Sequence, residues 1–382
     1  MEQLSKKEII NLVKSVFPHY NLDKKLGILV DIPNNKNDDN ENWKIRRDIC
    51  TKWNNILKDE VKNLNLEEIS LIAYHAVGAN NADLPDSGYI IKESLPETSD
   101  LLDVNGKISF EDIFKTFQLF LAPTENSATA PLKNAAKKYG FRAATMPGFS
   151  PKMIPALRID YEEVNRRVAI IKEKLDPAIS AKVIFRVNNK ENFNMYFDLR
   201  FRKGHLSPGR FPDKSTAGNL PSGETYIVPY EGELSDKSKT EGTLPVQIEN
   251  EIVYFTIKEN IAVSVTGKGP EAEREADHLL REPAYGNMAE LGFGVLGDFG
   301  LEPINEILLD EKLGFHVAFG RSDHFGGAVG PKDFSKPEEV IHLDRIYIPK
   351  TQPDIIVKSL VLEYENKESK EIIKEGRYLI FD

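Results

Sequence analysis

Five residues in the C-terminal half of the chain carry side chains from which a divalent-cation centre could be built: Glu224, Glu290, His316, His342 and Asp344. Imidazole suits zinc, cobalt, manganese and iron, while carboxylates also admit harder ions. His342 and Asp344 are two residues apart. On a strand such residues point to one face, so both could reach a single cation. Taken alone, the same pair also describes a hydrogen-bonded His–Asp contact inside a sheet. Glu224 follows Gly218-Asn-Leu-Pro-Ser-Gly223, a tight loop that delivers the carboxylate at the start of the next strand. By itself it also reads as a surface hairpin glutamate.

Glu290 precedes Leu291-Gly-Phe-Gly-Val-Leu-Gly297, a glycine-dense stretch in which backbone must approach something closely. It has neither the Gly-Lys-Ser/Thr ending nor the spacing of a phosphate or dinucleotide loop. His316 lies within the apolar run Leu313-Gly-Phe-His-Val-Ala-Phe-Gly320, where an imidazole needs a partner, as a satisfied core histidine or as a ligand. Five protein ligands exceed what one open catalytic zinc takes. Two cations about 3.5–4 Å apart, bridged by a carboxylate and a water, would use them all.

The elements that must position these residues divide by hydrophobic period. Leu26–Asp31, Glu68–Tyr74, Phe117–Ala122 and Phe141–Pro147 are short apolar runs ending in polar loops and separated by helical segments. This rhythm predicts a mainly parallel sheet covered by helices over residues 1–182, with a connecting helix over Asp160–Lys174. Beyond that point the period becomes two. Phe193, Met195, Phe197, Leu199 and Phe201 alternate with polar residues, and further strands are expected at 224–228, 251–257, 260–266, 315–319, 340–348, 355–364 and 377–381. The fold class is therefore α/β followed by α+β. Residues 183–382 are expected to form a largely antiparallel, β-rich domain that holds the ligands.

The length of 382 residues fits two domains. No run approaches the roughly 20 apolar residues of a membrane span. The formal charge of −10 and a pI near 5.4 argue against nucleic-acid binding. The one cysteine, Cys50, excludes an internal disulfide, and with Ile49, Trp53 and Leu57 at helical spacing it reads as a buried structural thiol. The opening segment is an amphipathic helix without signal-peptide features, so a cytoplasmic location is expected. Arg200, Arg202, Lys203 and Arg210 read as either a solvated strand edge or a site for a substrate carboxylate.

Five motifs in order resemble the thermophilic metallo-aminopeptidase family (aminopeptidase T and its relatives). They are Gly218-Asn-Leu-Pro-Ser-Gly-Glu224, Ala289-Glu-Leu-Gly-Phe-Gly294, Asp310-Glu-Lys312, Phe315-His-Val-Ala-Phe-Gly320 and His342-Leu-Asp344. Thr124-Glu-Asn-Ser-Ala-Thr129 and Ala144-Thr-Met-Pro-Gly-Phe149 are similar to that family more loosely. The resemblance implies a cytoplasmic, homodimeric exopeptidase that removes N-terminal residues from short peptides. It also implies two divalent ions (zinc, cobalt, manganese or magnesium) on Glu224, Glu290, His316, His342 and Asp344. One departure stands out. Where that family has a tyrosine shortly after the residue matching His316, this chain reads Arg321-Ser-Asp-His-Phe-Gly-Gly327, which puts Asp323 or His324 near the place.

In the peptidase reading the cations activate a water and polarise the scissile carbonyl, and a carboxylate moves a proton to the leaving amine. Glu290 is the first candidate for bridging ligand or proton shuttle, and Asp323 the second. His324 reads as an added ligand, a proton carrier or an exposed loop residue. Two histidines with one carboxylate are also the facial triad of non-haem Fe(II) oxygenases. Ring-cleaving dioxygenases of hydroxylated pyridines resemble the same family. Loss of the tyrosine raises that alternative, while Glu224 together with Glu290 favours two metals and hydrolysis. A third reading is a non-catalytic protein that binds a peptide or small molecule. Against it, buried carboxylates without a cation repel one another.

Overall fold

The computed structural model describes residues 2–18 and 20–381. The chain forms two compact units, one gathering the residues up to Asn165 with Ser207–Ser222, the other Arg166–Leu206 with the residues from Gly223 onward.

The first unit is built on seven strands: β1 (Lys25–Ile32), β2 (Glu68–His75), β3 (Ser87–Ile91), β4 (Lys107–Ser109), β5 (Leu119–Thr124), β6 (Arg142–Pro147) and β10 (Thr216–Asn219). Their order is β10-β6-β5-β1-β2-β3-β4. The pairs from β10 through β2 are parallel, and β3 and β4 are added antiparallel. β1 and β5 are buried almost throughout, which accounts for apolar runs without alternation. Helix α1 (Lys6–Val16) begins with a capping box in which Glu8 N–H donates to Ser5 Oγ at 3.3 Å and Ser5 N–H donates to Glu8 Oε2 at 2.7 Å. In α2 (Glu41–Lys58) Cys50 is fully buried between Ile49 and Trp53, and burial pushes its thiol up to about 12. It is a packing residue. At the carboxyl end of β1, Asp31 accepts the N–H groups of Glu125 (2.8 Å) and Asn126 (3.1 Å), tying down the polar loop after β5.

The connecting helix runs over Tyr161–Leu175, and the two units divide within it. The boundary expected after residue 182 falls inside the strand that follows. In the second unit an eight-stranded antiparallel sheet comprises β7 (Ala178–Val187), β8 (Glu191–Asp198), β12 (Glu241–Ile248), β13 (Glu251–Lys258), β14 (Ile261–Thr266), β18 (Ile355–Tyr364), β19 (Ser369–Lys374) and β20 (Arg377–Tyr378). The expected alternation ends early. β8 stops at Asp198, whose buried carboxylate accepts the backbone N–H of Arg200 at 3.2 Å and turns the chain. Phe201 then adopts φ +65° with 64% of its surface exposed. Arg200 pairs with Asp198 and Asp236, and Arg202 with Glu231 and Glu233, so these cations already have partners.

A second, five-stranded sheet has the order β17 (His342–Ile346), β16 (Phe315–Gly320), β15 (Met288–Gly294), β11 (Glu224–Ile227) and β9 (His205–Ser207). Its apolar face, with Leu291, Phe293, Phe315, Val317 and Phe319, is buried and packs on the larger sheet. Ring centroids lie 4.8 Å apart for Phe255–Phe319 and 6.4 Å for Phe185–Phe315. Each such side chain contributes about 1.5–3 kcal/mol, so the other face can be given over to polar groups. Among the described residues no helix is long and apolar enough to cross a membrane.

Candidate metal centre

Glu224 opens β11 opposite Gly294, and Tyr226 lies opposite Gly292. Gly292 in turn faces His316, and Glu290 faces Ala318. Across the next pairing Ala318 faces Asp344 and Gly320 faces His342. Directly paired residues share a face, as do residues two apart on one strand. All five candidate ligands and Tyr226 therefore project from the same face. The positions between them are Gly292, Gly294, Ala318 and Gly320, which leave room above the sheet. A Cβ at Gly292 would overlap the His316 imidazole, and one at Gly294 would overlap the Lys312 carbonyl.

The ligand atoms converge. One atom each from Glu224, Glu290 and His316 lie within 4.8 Å of one another, and all three residues are buried. Glu290 Oε1 is 3.3 Å from His316 Nε2, and Glu290 Oε2 is 3.4 Å from His342 Nε2. Asp344 Oδ1 is 3.9 Å from the first imidazole and 3.6 Å from the second. Glu224 Oε2 is 3.6 Å from His316 Nε2 and, though buried, has no hydrogen-bond partner among the described residues.

Both histidines are oriented from behind. His316 Nδ1 lies 3.1 Å from the Gly314 carbonyl and His342 Nδ1 2.7 Å from the Arg321 carbonyl. A carbonyl only accepts, so each Nδ1 carries the hydrogen and each Nε2 is turned toward the carboxylates. This is the usual arrangement of a metal-bound histidine. Without a cation a proton must serve instead. Burial opposes charge on His316, yet the Glu290 hydrogen bond and the charges of Asp344 and Glu224 raise its pKa to about 9. His342 is likewise raised against burial, by Asp344 and Glu290. Glu290 is itself buried, but the two histidines hold it well below the usual carboxylate range. Burial raises Glu224, with Lys312 opposing. The donor set, the inward Nε2 atoms and the orphaned Glu224 oxygen together fit a divalent cation.

Two further residues of the Asp310-Glu-Lys312 motif join the cluster. The ammonium of Lys312, 3% exposed, pairs with Glu224 Oε1 and with Glu311 Oε1. Sequence reasoning assigns Lys312 no role. Its neighbourhood of apolar Leu309 and Leu313, which leaves a lysine needing a buried partner, was the available signal.

Within Arg321–Gly327 the chain forms a short 3₁₀ turn, Asp323–Phe325. Asp323 accepts from Arg321 Nε at 2.5 Å, and that contact lowers its pKa. His324 is brought to the rim, its ring 5.4 Å from that of His342 and 3.9 Å from Phe325, with 35% of its side chain exposed. Burial and the neighbouring His342 charge lower its pKa to about 4, so the ring is neutral. Phe325 also packs on Tyr226 at 4.7 Å, and Tyr226 stacks on His205 at 5.2 Å. Glu231 holds this loop, accepting from Asn287 Nδ2 at 2.7 Å, from Ser322 Oγ at 2.5 Å and from the Ala328 N–H. Tyr226 and Glu231 were not singled out from the sequence. Tyr226, two residues after Glu224 on a strand, could have been.

No family model matches the sequence, and no curated protein does. Solved structures share the fold, among them the following two. A 2,5-dihydroxypyridine dioxygenase from Pseudomonas putida KT2440 aligns with a TM-score of 0.61 at 16% identity, over 98% of this chain and 96% of its own. Wild-type AmpT from Thermus thermophilus aligns with a TM-score of 0.53 at 13% identity, over 98% of each chain. At these identities the likeness is one of fold: helices with a parallel sheet, followed by antiparallel sheets.

Proposed function

We propose that this chain is a metal-dependent aminopeptidase holding two divalent cations. The observation that carries the reading is the division of Glu290, which turns one oxygen to His316 and the other to His342. With Glu224 beside His316 and Asp344 beside His342, the set separates into two positions that share one carboxylate. His316, Glu224 and Glu290 would hold one cation, and His342, Asp344 and Glu290 the other. When bound, such a pair supplies Lewis acidity and a water acidified toward neutrality. The fold of AmpT, an aminopeptidase T, agrees with this reading.

The chain's own residues supply the rest. Both oxygens of Glu290 face histidines, so it would hold the cations rather than shuttle a proton, and Asp323 is occupied by Arg321. Proton traffic falls to His324, whose neutral ring stands beside His342 at the exposed rim. Tyr226 and Phe325 form an aromatic wall against which a peptide's terminal side chain can pack.

A second reading has its own observation. Asp344 Oδ1 lies within 3.9 Å of both imidazole Nε2 atoms, which is the two-histidine, one-carboxylate set of a non-haem iron oxygenase, and one fold neighbour is a dioxygenase. Elemental analysis of purified protein followed by a peptide panel separates the two. Two zinc, cobalt or manganese ions with release of N-terminal amino acids support the peptidase. One iron with oxygen consumption overturns it. Glu290→Ala is expected to abolish peptide turnover and lower metal content, and retained turnover would remove Glu290 from the mechanism.

A further inference from the structure

Lys312 is an unusual presence beside a cation site. Its ammonium is buried, close to the carboxylates that would bind metal, and it is fixed to the sheet by the approach of its carbonyl to Gly294. It engages Glu224 through Oε1 only, leaving Oε2 as the single oxygen turned to His316. Glu290 and Asp344 instead have both histidines near them and are not paired with Lys312. A positive charge next to one half of the set repels a cation there and removes one of its donor oxygens.

We propose that Lys312 makes the two cation positions unequal: the position on Glu290, His342 and Asp344 keeps its ion, and the one on Glu224, Glu290 and His316 releases its ion first. The inference rests on the two-cation reading above. It implies that occupancy of the weaker position, and with it the fully assembled centre, follows the free metal concentration around the protein. Lys312 is then a positioning residue with a regulatory consequence rather than a catalytic one.

The test is a titration of chelator-stripped full-length protein with Co²⁺, read by calorimetry and by visible absorption. Wild-type protein should bind two ions with affinities at least about tenfold apart. Lys312→Met, which keeps most of the side-chain length without its charge, should tighten the weaker step by about tenfold or more and leave the tighter step in place. Glu224→Gln, which leaves Lys312 an acceptor, should remove the weaker step alone and so identifies the weaker position, and Lys312→Gln, which removes the charge but keeps a donor for Glu224, replaces Lys312→Met if that variant fails to fold. Two equal steps in the wild type, an unchanged ratio in Lys312→Met, or loss of the tighter step in Glu224→Gln would each overturn the proposal. A single ion at saturation in the wild type would overturn the two-cation reading as well, which separates that failure from the others.

Discussion

The His316 imidazole occupies the space above Gly292 that any other residue's Cβ would fill, the two positions being paired across β15 and β16. Gly292→Ala should therefore push the ring off the ligand cluster while leaving the strand pairing intact. A displacement of about 1 Å in a reacting group costs on the order of 10²-fold in turnover, and a loss of that size is expected here. Metal analysis should show the position beside Glu224 depleted. An alanine variant with full metal content and normal turnover would mean that His316 is not a ligand.

His324→Gln is expected to lower kcat by about 10²-fold while metal stoichiometry stays at the wild-type value. The ring stands beside His342 and Phe325, with its Nδ1 3.6 Å from Asp323 Oδ1. If kcat is unchanged and only KM rises, His324 is part of the wall rather than a proton carrier.

The chelator-stripped protein should lose stability as pH rises from about 6.5 to about 9. Despite the cost of burial, the Glu290 hydrogen bond and the charges of Asp344 and Glu224 raise the His316 pKa to about 9, against roughly 6.5 for an unfolded histidine. A group raised on folding stabilises fully below its unfolded pKa, and that contribution is lost as pH climbs through the folded one. His342 shifts in the same direction. Melting temperatures of stripped and metal-loaded protein across this window provide the check. The loaded protein should show the flatter profile, because the cation takes the place of the protons. A flat profile for the stripped protein would mean that the imidazoles do not face ionised carboxylates.

Much of this arrangement is legible in the order of residues alone. Strand periodicity of two places His342 and Asp344 on one face, and the uninterrupted apolar runs of β1 and β5 foretell a covered parallel sheet. Which residues face one another across strands is a non-local property. Periodicity could not reveal that Glu290 and Asp344 both sit opposite Ala318, or that Gly292 is vacant for the sake of His316. The end of β8 escapes for a similar reason, since the alternation continues to Phe201 while the buried Asp198 carboxylate turns the backbone. Lys312 escapes notice because a lysine reads as a surface residue until its two carboxylate partners are seen.

The ammonium of Lys312 is covalently part of the chain, and no chelator can remove it. Stripping every mobile ion still leaves one positive charge among the buried acids, and protons on His316 and His342 add to it. A zinc finger deprived of its ion unfolds, because there metal binding and folding are one event. In the two-cation reading proposed above, the positive charges that remain come from the chain itself and from protons, so the chelator-stripped chain is expected to stay folded, with ion binding and folding as separate events.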